Sequence, residues 1–492
     1  VCVDANDPNQ IYYESQNGAT QRTHLVTGER GRIRPATTRG QQRGGQAGER
    51  GGQAGERGGQ AGERGGQQEP SGPPSGQRRQ RQRYRFNWKT PFILSHHNSR
   101  IYYNAGNHVF RSLDRGNDLR PISPEITRTD KGSGSAVAES PLNPDVLYAG
   151  TTDGGLWGTR KGTHGWVNLR ELGGESIGNA NGAADASAKR DGGPRAPVAT
   201  DDPVPFQQLV PTPMWISSLE ASRYKEWRVY VTADGHRSDD DNPHVLVSED
   251  YGETWRSLRA NLPRGSSRVI REDRVNRNLL YLGTEFGFYV SLNRGKDWIR
   301  FHNNLPTVAI HEVAQHRTCG DIVLATHGRS LWSIDITPLR QMTTKALAKD
   351  MLLCKPSEVI VWKRGQSRGS TGGARRFVGR NPSTQAQIFF ALKKKPRTLT
   401  VAIHDQSGAK IRDLQVKPAA GLHRVSWNLR RNPRAGQASR EEMRRRFRSG
   451  SFRGRRGGRG GGSVGVGTYK VVVTADGQSQ EAEIKIIPDP ND

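Results

Sequence analysis

One short pattern returns along this chain and constrains its fold more than any other feature. Residues 248–255 follow the frame Ser-x-Asp-x-Gly-x-Thr-Trp, which places Ser248, Asp250, Gly252, Thr254 and Trp255 at the defining positions. The other copies contain Ser291, Asn293, Gly295, Asp297 and Trp298, then Ser112, Asp114 and Gly116, and finally a poorer run from Thr159 to Trp166.

The spacing of the copies predicts the architecture. Their first residues, 112, 159, 248 and 291, stand 47, 89 and 43 residues apart, so the middle gap holds two units, or one unit with an insertion. A period of about 40–45 residues with strands between the copies is the spacing of a β-propeller blade.

Each position of the motif has a physical reason. Glycine allows positive φ in a tight turn between antiparallel strands. Serine and aspartate bind backbone N–H groups locally, and the tryptophan buries a large apolar face where the next strand begins. We therefore interpret the motif as a structural turn rather than as catalytic machinery.

Strand-like runs between the turns complete each unit. Runs such as Val229-Tyr230-Val231 are preceded and followed by further apolar runs, which gives four strands, A to D, for each unit. We expect an all-β chain with about six blades, the first of them partial, and no helix of normal length. Because the chain opens with Val1 in strand-like sequence, we expect the propeller to be truncated at its N-terminus.

Composition shifts divide the chain. The propeller is predicted over residues 1–340, a linker over 341–384, and a second β-sandwich domain over 385–492. Three insertions are expected: a low-complexity one at 30–84, which contains three copies of Arg-Gly-Gly-Gln-Ala-Gly-Glu, a polar one at 172–205, and an Arg/Gly-rich one at 430–462.

Charge adds one alternative function. The net charge is +27, and residues 30–85 and 430–460 carry +9 and +10 of it. Because such Arg/Gly-rich stretches can bind polyanions, RNA binding is a second alternative, although nucleic acid is not the expected partner. No apolar run approaches the roughly 20 residues of a membrane span, and the three cysteines have neither disulfide nor metal-ligand spacing.

The stretch from Arg85-Phe86-Asn87-Trp88 to Thr326-His327-Gly328-Arg329-Ser330 resembles bacterial BNR/Asp-box propellers related to the sortilin N-terminal propeller. These are similar to secreted sialidase- and xyloglucanase-type propellers that are often labelled glycosyl hydrolases. The C-terminal region resembles the Ig-like domain of the flagellar-hook-capping type. The resemblance implies a secreted, periplasmic or cell-surface protein.

The topology predicts where a ligand would bind. If the motif forms the C–D turns, the B–C loops lie at the opposite ends of the strands, where propellers bind ligands. The candidate ligand-binding residues in these loops are Asp153, Asp234, His236, Arg237, Glu285, His327 and Arg329.

Two chemistries remain open at these loops. A glycoside hydrolase needs two carboxyl groups about 5–10 Å apart, for which Asp153, Asp234 and Glu285 are candidates and Glu139, Glu220 and Glu272 are alternatives. A calcium ion would fit the acidic run Asp239-Asp240-Asp241, although no cofactor is expected. The leading hypothesis is a non-catalytic propeller that binds a glycan or a protein, and a glycoside hydrolase is the alternative.

Overall fold

A computed structural model describes residues 1–35, 84–172, 202–362, 384–432 and 462–489. The chain divides into two compact units, Val1–Ser257 and Leu258–Asp492. Strands account for most of the described elements, and the three α-helices have four or five residues each.

The first unit opens with two antiparallel sheets of four strands each. The first sheet contains β1 (Cys2–Val3), β2 (Gln10–Glu14), β3 (Thr20–His24) and β4 (Arg30–Ile33). The second contains β5 (Phe92–Leu94), β6 (Tyr102–Ala105), β7 (Val109–Ser112) and β8 (Arg120–Pro121).

Two further sheets of the same kind complete this unit. The third contains β9 (Gly134–Glu139), β10 (Leu147–Thr151), β11 (Leu156–Thr159) and β12 (Val167–Asn168). After the short helix α1 (Phe206–Leu209), the fourth contains β13 (Trp215–Ala221), β14 (Val229–Asp234), β15 (His244–Ser248) and β16 (Arg256–Ser257).

Neighbouring sheets of the first unit pack through their inner strands, since β9 contacts both β6 and β13. Every residue of β14 is buried, as expected for a strand that is covered on both faces. One core cluster combines Leu156 of the third sheet with Ile216, Val231 and Trp255 of the fourth. Successive four-stranded meanders that pack in this way are propeller blades.

The second unit begins with two more antiparallel sheets. The first contains β17 (Ser267–Glu272), β18 (Leu280–Thr284), β19 (Gly287–Ser291) and β20 (Ile299–Arg300). The next contains only β21 (Ile310–Gln315), β22 (Asp321–Thr326) and β23 (Leu331–Asp335). Strand β21 packs on β17 and β18.

The rest of the second unit is a β-sandwich. Helices α2 (Thr337–Gln341) and α3 (Thr344–Leu347) precede it. One sheet has the order β24 (Met351–Leu353), β26 (Ala386–Leu392), β29 (Gly421–Trp427). The other has the order β25 (Val359–Val361), β31 (Gln478–Pro488), β30 (Gly467–Ala475), β27 (Leu399–His404), β28 (Lys410–Leu414). The two sheets share one core, in which Trp427 is completely buried.

The prediction of an all-β propeller chain is confirmed, and several details differ. The first sheet is not partial, because β1 pairs with β2 and β4 pairs with β3. Among the propeller sheets, the one that has only three strands is the last, β21–β23, which begins at Ile310.

Segment boundaries also differ from those that composition suggested. Strand β4 occupies Arg30–Ile33 within the range 30–84, because its backbone pairs with Thr20–Thr23 despite a polar sequence. Val204 pairs with Trp255 at the end of the range 172–205, and Arg430 pairs with Ser463 at the borders of the range 430–462. Strands β24 and β25 lie inside the predicted linker 341–384 and pair with β26 and β31.

Candidate functional site

The recurrent motif occupies equivalent positions in the sheets. Its four copies connect β7 to β8, β11 to β12, β15 to β16 and β19 to β20, and each connection joins a third strand to a fourth. We call these connections the C–D turns. They lie where the motif predicted them, at the ends of the strands opposite to the B–C loops.

The turn after β15 illustrates their construction. Ser248 Oγ accepts hydrogen bonds from the N–H groups of Gly252 at 2.7 Å and Asp250 at 3.2 Å. Trp255 is fully buried and donates its indole N–H to the Gly252 carbonyl at 3.0 Å. Gly252 has φ of 98°, and a Cβ there would lie 2.6 Å from Leu169 Cδ1. Serine, glycine and tryptophan therefore all serve the packing of this turn.

The aspartate of the same turn is held as a carboxylate. Burial raises the pKa of Asp250, but the hydrogen bonds that Thr254 and Ser248 donate to it outweigh this effect, so that its pKa lies below the ordinary value. In the turn after β19, Asn293 occupies the same position and accepts from the Asp297 N–H at 3.0 Å. An amide oxygen can thus replace the carboxylate.

The B–C loops connect second strands to third strands in the six propeller sheets of the described residues. In the first unit they include Asn17-Gly18, Gly106-Asn107, Thr152-Asp153-Gly154 and the long loop from Gly235 to Pro243. In the second unit they include Glu285-Phe286 and His327-Gly328-Arg329. The candidate ligand-binding residues lie in these loops or at the strand ends that border them.

Asp153, one of the predicted catalytic carboxylates, accepts several hydrogen bonds. Its Oδ2 accepts from the N–H of Arg128 at 2.9 Å, from the N–H of Thr129 at 2.7 Å and from the Thr129 hydroxyl at 3.0 Å. Its Oδ1 accepts from the Thr151 hydroxyl at 2.6 Å. Asp153 therefore ties the segment before β9 to the B–C loop of the third sheet.

Asp234 and its neighbours form the longest B–C loop. Asp234 is buried, and its Oδ1 accepts the His236 N–H at 3.0 Å. His236 and Arg237 are exposed on a 3-10 turn. The Arg237 guanidinium lies 4.7 Å from the centre of the Trp215 ring, which is cation–π distance. The buried carboxylate thus shapes a loop whose His236 and Arg237 side chains face solvent.

The acidic run in this loop is internally bonded. Asp239 ends the 3-10 turn in the left-handed conformation. Asp240 accepts from the Asn242 backbone and side chain at 2.8 and 2.7 Å, and its other oxygen lies 2.9 Å from His244 Nε2. Burial raises the pKa of Asp240, yet these contacts outweigh it and lower the pKa. Across the described residues, including Asp241, no group of three or more His, Cys, Asp or Glu could hold a metal ion.

The second unit presents its candidates differently. Glu285 forms an ion pair with Arg268 on β17. His327 and Arg329 are exposed, and the His327 ring lies 5.2 Å from that of His311. Glu285 is thus held against its own sheet, whereas His327 and Arg329 extend toward solvent.

The alternative glutamates lie on the first strands. Glu139 ends β9, is almost fully buried, and accepts from the Ser95 hydroxyl at 2.9 Å and the His96 N–H at 2.6 Å. Burial raises its pKa. Glu220 lies near the end of β13, and Glu272 is buried at the end of β17. In antiparallel meanders these strand ends lie opposite the B–C loops, so Glu139 and Glu220 do not complete a pair with Asp153 or Asp234.

Sequence reasoning missed the segments that precede the first strands. Residues 84–90 lie across two B–C loops, because the Asn17 N–H donates to the Trp88 carbonyl at 3.3 Å and the Asn107 N–H donates to the Arg85 carbonyl at 2.9 Å. The Arg85 side chain reaches Glu125 and Thr127 beyond. The run Arg-Phe-Asn-Trp was the available signal, but it indicates nothing about which loops it contacts.

A separate cavity of about 910 Å³ lies beside the C–D turns of the second and third sheets. Proline and aliphatic side chains, including Pro121 and Ile122, line it together with Trp166. The indole N–H of Trp166 donates to the Ile122 carbonyl at 2.8 Å. Its carboxylates, Asp114 and Asp118, already pair with Arg100 and Arg120.

Several solved structures resemble the chain, although no protein-family model and no curated protein matches it. They include a GH74 xyloglucanase from Xanthomonas campestris, at 17% identity over 50% of this chain and 36% of that one, with a TM-score of 0.33. YCF48 from Cyanidioschyzon merolae matches at 14% identity over 73% of this chain and 88% of that one, with a TM-score of 0.36. U3-55K matches at 12% identity over 69% and 77%, with a TM-score of 0.40.

The chain corresponds to only a part of the larger of these proteins. It spans 36% of the xyloglucanase and 39% of an ancestral GH74 enzyme, well under half of either. Because identities and TM-scores are low, the propeller assignment rests on the sheets themselves, and no residue role is transferred. None of the helices in the described ranges is long and apolar enough to cross a membrane.

Proposed function

We propose that this chain is a non-catalytic propeller that binds a glycan or a protein at its B–C loops. The observation that carries this proposal is the internal engagement of the candidate catalytic carboxylates. Asp153 accepts four hydrogen bonds, Asp234 accepts from the His236 backbone, and Glu285 pairs with Arg268. These bonds support a structural role for the carboxylates rather than acid–base chemistry.

Exposed histidine and arginine side chains lie at the same loops. His236 and Arg237 in the first unit, and His327 and Arg329 in the second, face solvent on loops that short-range bonds hold in place. Arginine is enriched among the residues that dominate binding energy at interfaces. We therefore assign these side chains to ligand contact in their respective units.

The proposal also includes the protein family and the cellular location. The C–D turns support membership among the BNR/Asp-box propellers of the sortilin-related type, with an Ig-like sandwich after them. A secreted, periplasmic or cell-surface location follows from that membership. Polyanion binding by the Arg/Gly-rich stretches concerns mostly residues that lie outside those the structure describes, and no contact in the described residues favours it.

A matched pair of arginines tests the proposal. Arg237 lies over Trp215 at a B–C loop, and Arg160 lies 4.8 Å from the Tyr251 ring at a C–D turn. With a ligand identified on an oligosaccharide array or a secreted-protein panel, we expect Arg237→Ala to weaken binding by about fivefold or more and Arg160→Ala to leave it unchanged. The glycoside hydrolase would be supported instead if the wild-type protein released reducing sugar and if Asp153→Ala or Glu285→Ala abolished that release while the variant stayed folded.

A further inference from the structure

The most exposed aromatic side chain of the described residues stands on the B–C side of the first unit. Trp88 is 69% exposed, against 50% for Phe286 and Trp362 and 41% for Trp227. Other tryptophans of the propeller sheets, such as Trp255 and Trp298, are buried at C–D turns. A single exposed apolar side chain is ordinary on a protein surface, so a binding role for Trp88 depends on how its backbone is held and on what surrounds it.

The backbone around Trp88 is held on both sides. The Trp88 N–H donates to Asn87 Oδ1 at 2.7 Å. The Thr90 N–H donates to both carboxylate oxygens of Glu14 at 2.9 Å, and the Thr90 hydroxyl accepts the Gly18 N–H at 2.9 Å. The exposed ring therefore belongs to a pinned segment, and binding through it requires little ordering of the chain.

Two glycines allow the segment to lie this close to the loops. A Cβ at Gly18 would lie 2.6 Å from Phe86 Cγ, and a Cβ at Gly106 would lie 2.3 Å from the Arg85 carbonyl oxygen. Both distances are shorter than real Cβ contacts, so any larger residue would displace the segment. The two B–C loops are thus shaped to carry residues 85–88.

The surroundings of Trp88 are polar. The exposed residues near it are Ser15, Gln16, Asn17 and Lys89. Within residues 14–20 and 84–90, Trp88 is the only large apolar side chain that is exposed. A tryptophan at the centre of a protein interface is normally ringed by further contacts that exclude water. A sugar ring has a different requirement, since one of its faces presents C–H groups and its edge presents hydroxyls. One flat aromatic face with amides and hydroxyls around it meets that requirement.

From this geometry we propose that Trp88 is a stacking platform for a pyranose ring. Exposed amides of Gln16 and Asn17 and the Lys89 ammonium are available to the hydroxyls of the sugar. The inference rests on the proposed function, and it names the ligand class and the residue that carries the contact in the first unit. The ligand bound there is a glycan rather than a protein.

The test uses the full chain and three variants. Binding is measured first on an array of oligosaccharides and then in solution by titration calorimetry with cellohexaose, mannohexaose and laminarihexaose. For the sugars that bind, we expect Trp88→Ala to lower affinity about tenfold. Trp88→Phe retains an aromatic face and should lose no more than about threefold. Trp227→Ala removes an exposed indole between β13 and β14, on the opposite side, and should change nothing.

The outcomes separate this inference from the proposed function. Equal affinity of wild type and Trp88→Ala, with Arg237→Ala weakened, overturns the platform and leaves binding at the B–C loops. If no oligosaccharide on the array binds, or if a protein ligand depends on Trp88 instead, the sugar assignment is wrong. Hydrolysis of a sugar whose affinity depends on Trp88 would overturn the non-catalytic proposal and keep the platform. Circular dichroism of each variant shows that the fold is retained.

Discussion

The C–D turns and the B–C loops of the first unit contain the same kinds of residue, which serve different purposes. In the C–D turn after β15, the serine, glycine and tryptophan all bond or pack within the fold. On the B–C side the loop carboxylates also bond internally, but Trp88 of the segment that lies across two of these loops and Arg237 stand in solvent. The exposure of Trp88, set against the burial of Trp255, distinguishes the two sides more than the presence of carboxylates does.

This difference shows why a repeated motif and a binding surface lie apart. A turn that recurs from sheet to sheet satisfies one geometric demand, which is to join third and fourth strands and seal the space between sheets. A loop that differs from sheet to sheet is free to carry specific side chains on a rigid support. Substitutions on the two sides should therefore differ in what they change, stability on one side and binding on the other.

Tryptophans on the two sides should differ most. Trp255 is fully buried against Phe206 in the core of the first unit, so Trp255→Ala should lower the free energy of unfolding by about 3–5 kcal/mol. Trp88→Ala should change it by less than about 0.5 kcal/mol, because the side chain is exposed. Urea denaturation of both variants measures the difference, and comparable losses would contradict the contrast.

Carboxylate removal in a B–C loop should destabilise the protein rather than abolish a reaction. Asp153→Ala removes the acceptor of four hydrogen bonds, two of them from backbone N–H groups. We expect a loss of about 2 kcal/mol in unfolding free energy. Asp153→Asn retains one acceptor oxygen and should lose less. A variant with unchanged stability and abolished sugar hydrolysis would reverse our interpretation of this residue.

Glycine substitutions compare the two sides directly. Gly18 and Gly252 both have positive φ, at 76° and 98°, so Gly18→Ala and Gly252→Ala should each cost about 1–2 kcal/mol of stability. Only Gly18→Ala should also weaken ligand binding, since its Cβ would push Phe86 and the segment that carries Trp88. Denaturation combined with titration calorimetry separates the two effects. Equal loss of affinity in both variants would argue against a binding role for the B–C side.

The smallest effect concerns acid sensitivity at a C–D turn. The pKa of Asp250 is lower in the folded protein, so its contribution to stability is complete above the unfolded pKa and is lost as pH falls through the folded pKa. Asp250→Asn should change stability at neutral pH by less than about 0.5 kcal/mol, as the natural Asn293 indicates. Between about pH 6 and pH 3 this variant should lose less stability than wild type. If the unfolding free energies of wild type and Asp250→Asn fell equally with decreasing pH, Asp250 would not contribute to acid sensitivity.

Local features of the fold were predictable from the sequence. The positions of the C–D turns and the B–C loops follow from motif spacing and from glycine and aspartate in the turns, all of which act within a few residues. Strand β25 was not predictable, because Val359–Val361 pairs with Ile486–Pro488 in parallel. No periodicity of a three-residue run specifies a partner that is more than a hundred residues away.

The candidate site divides in the same way. Sequence alone determined that the chain is an all-β propeller, and it located the C–D turns at equivalent positions in successive sheets, because apolar alternation and turn chemistry are local properties. Only the tertiary structure decided that Asp153 bonds to Arg128 and Thr129, and that Arg85 and Phe86 lie against Gly18 and Gly106. These contacts depend on how separate segments approach one another, and that approach is set by the packing of whole sheets.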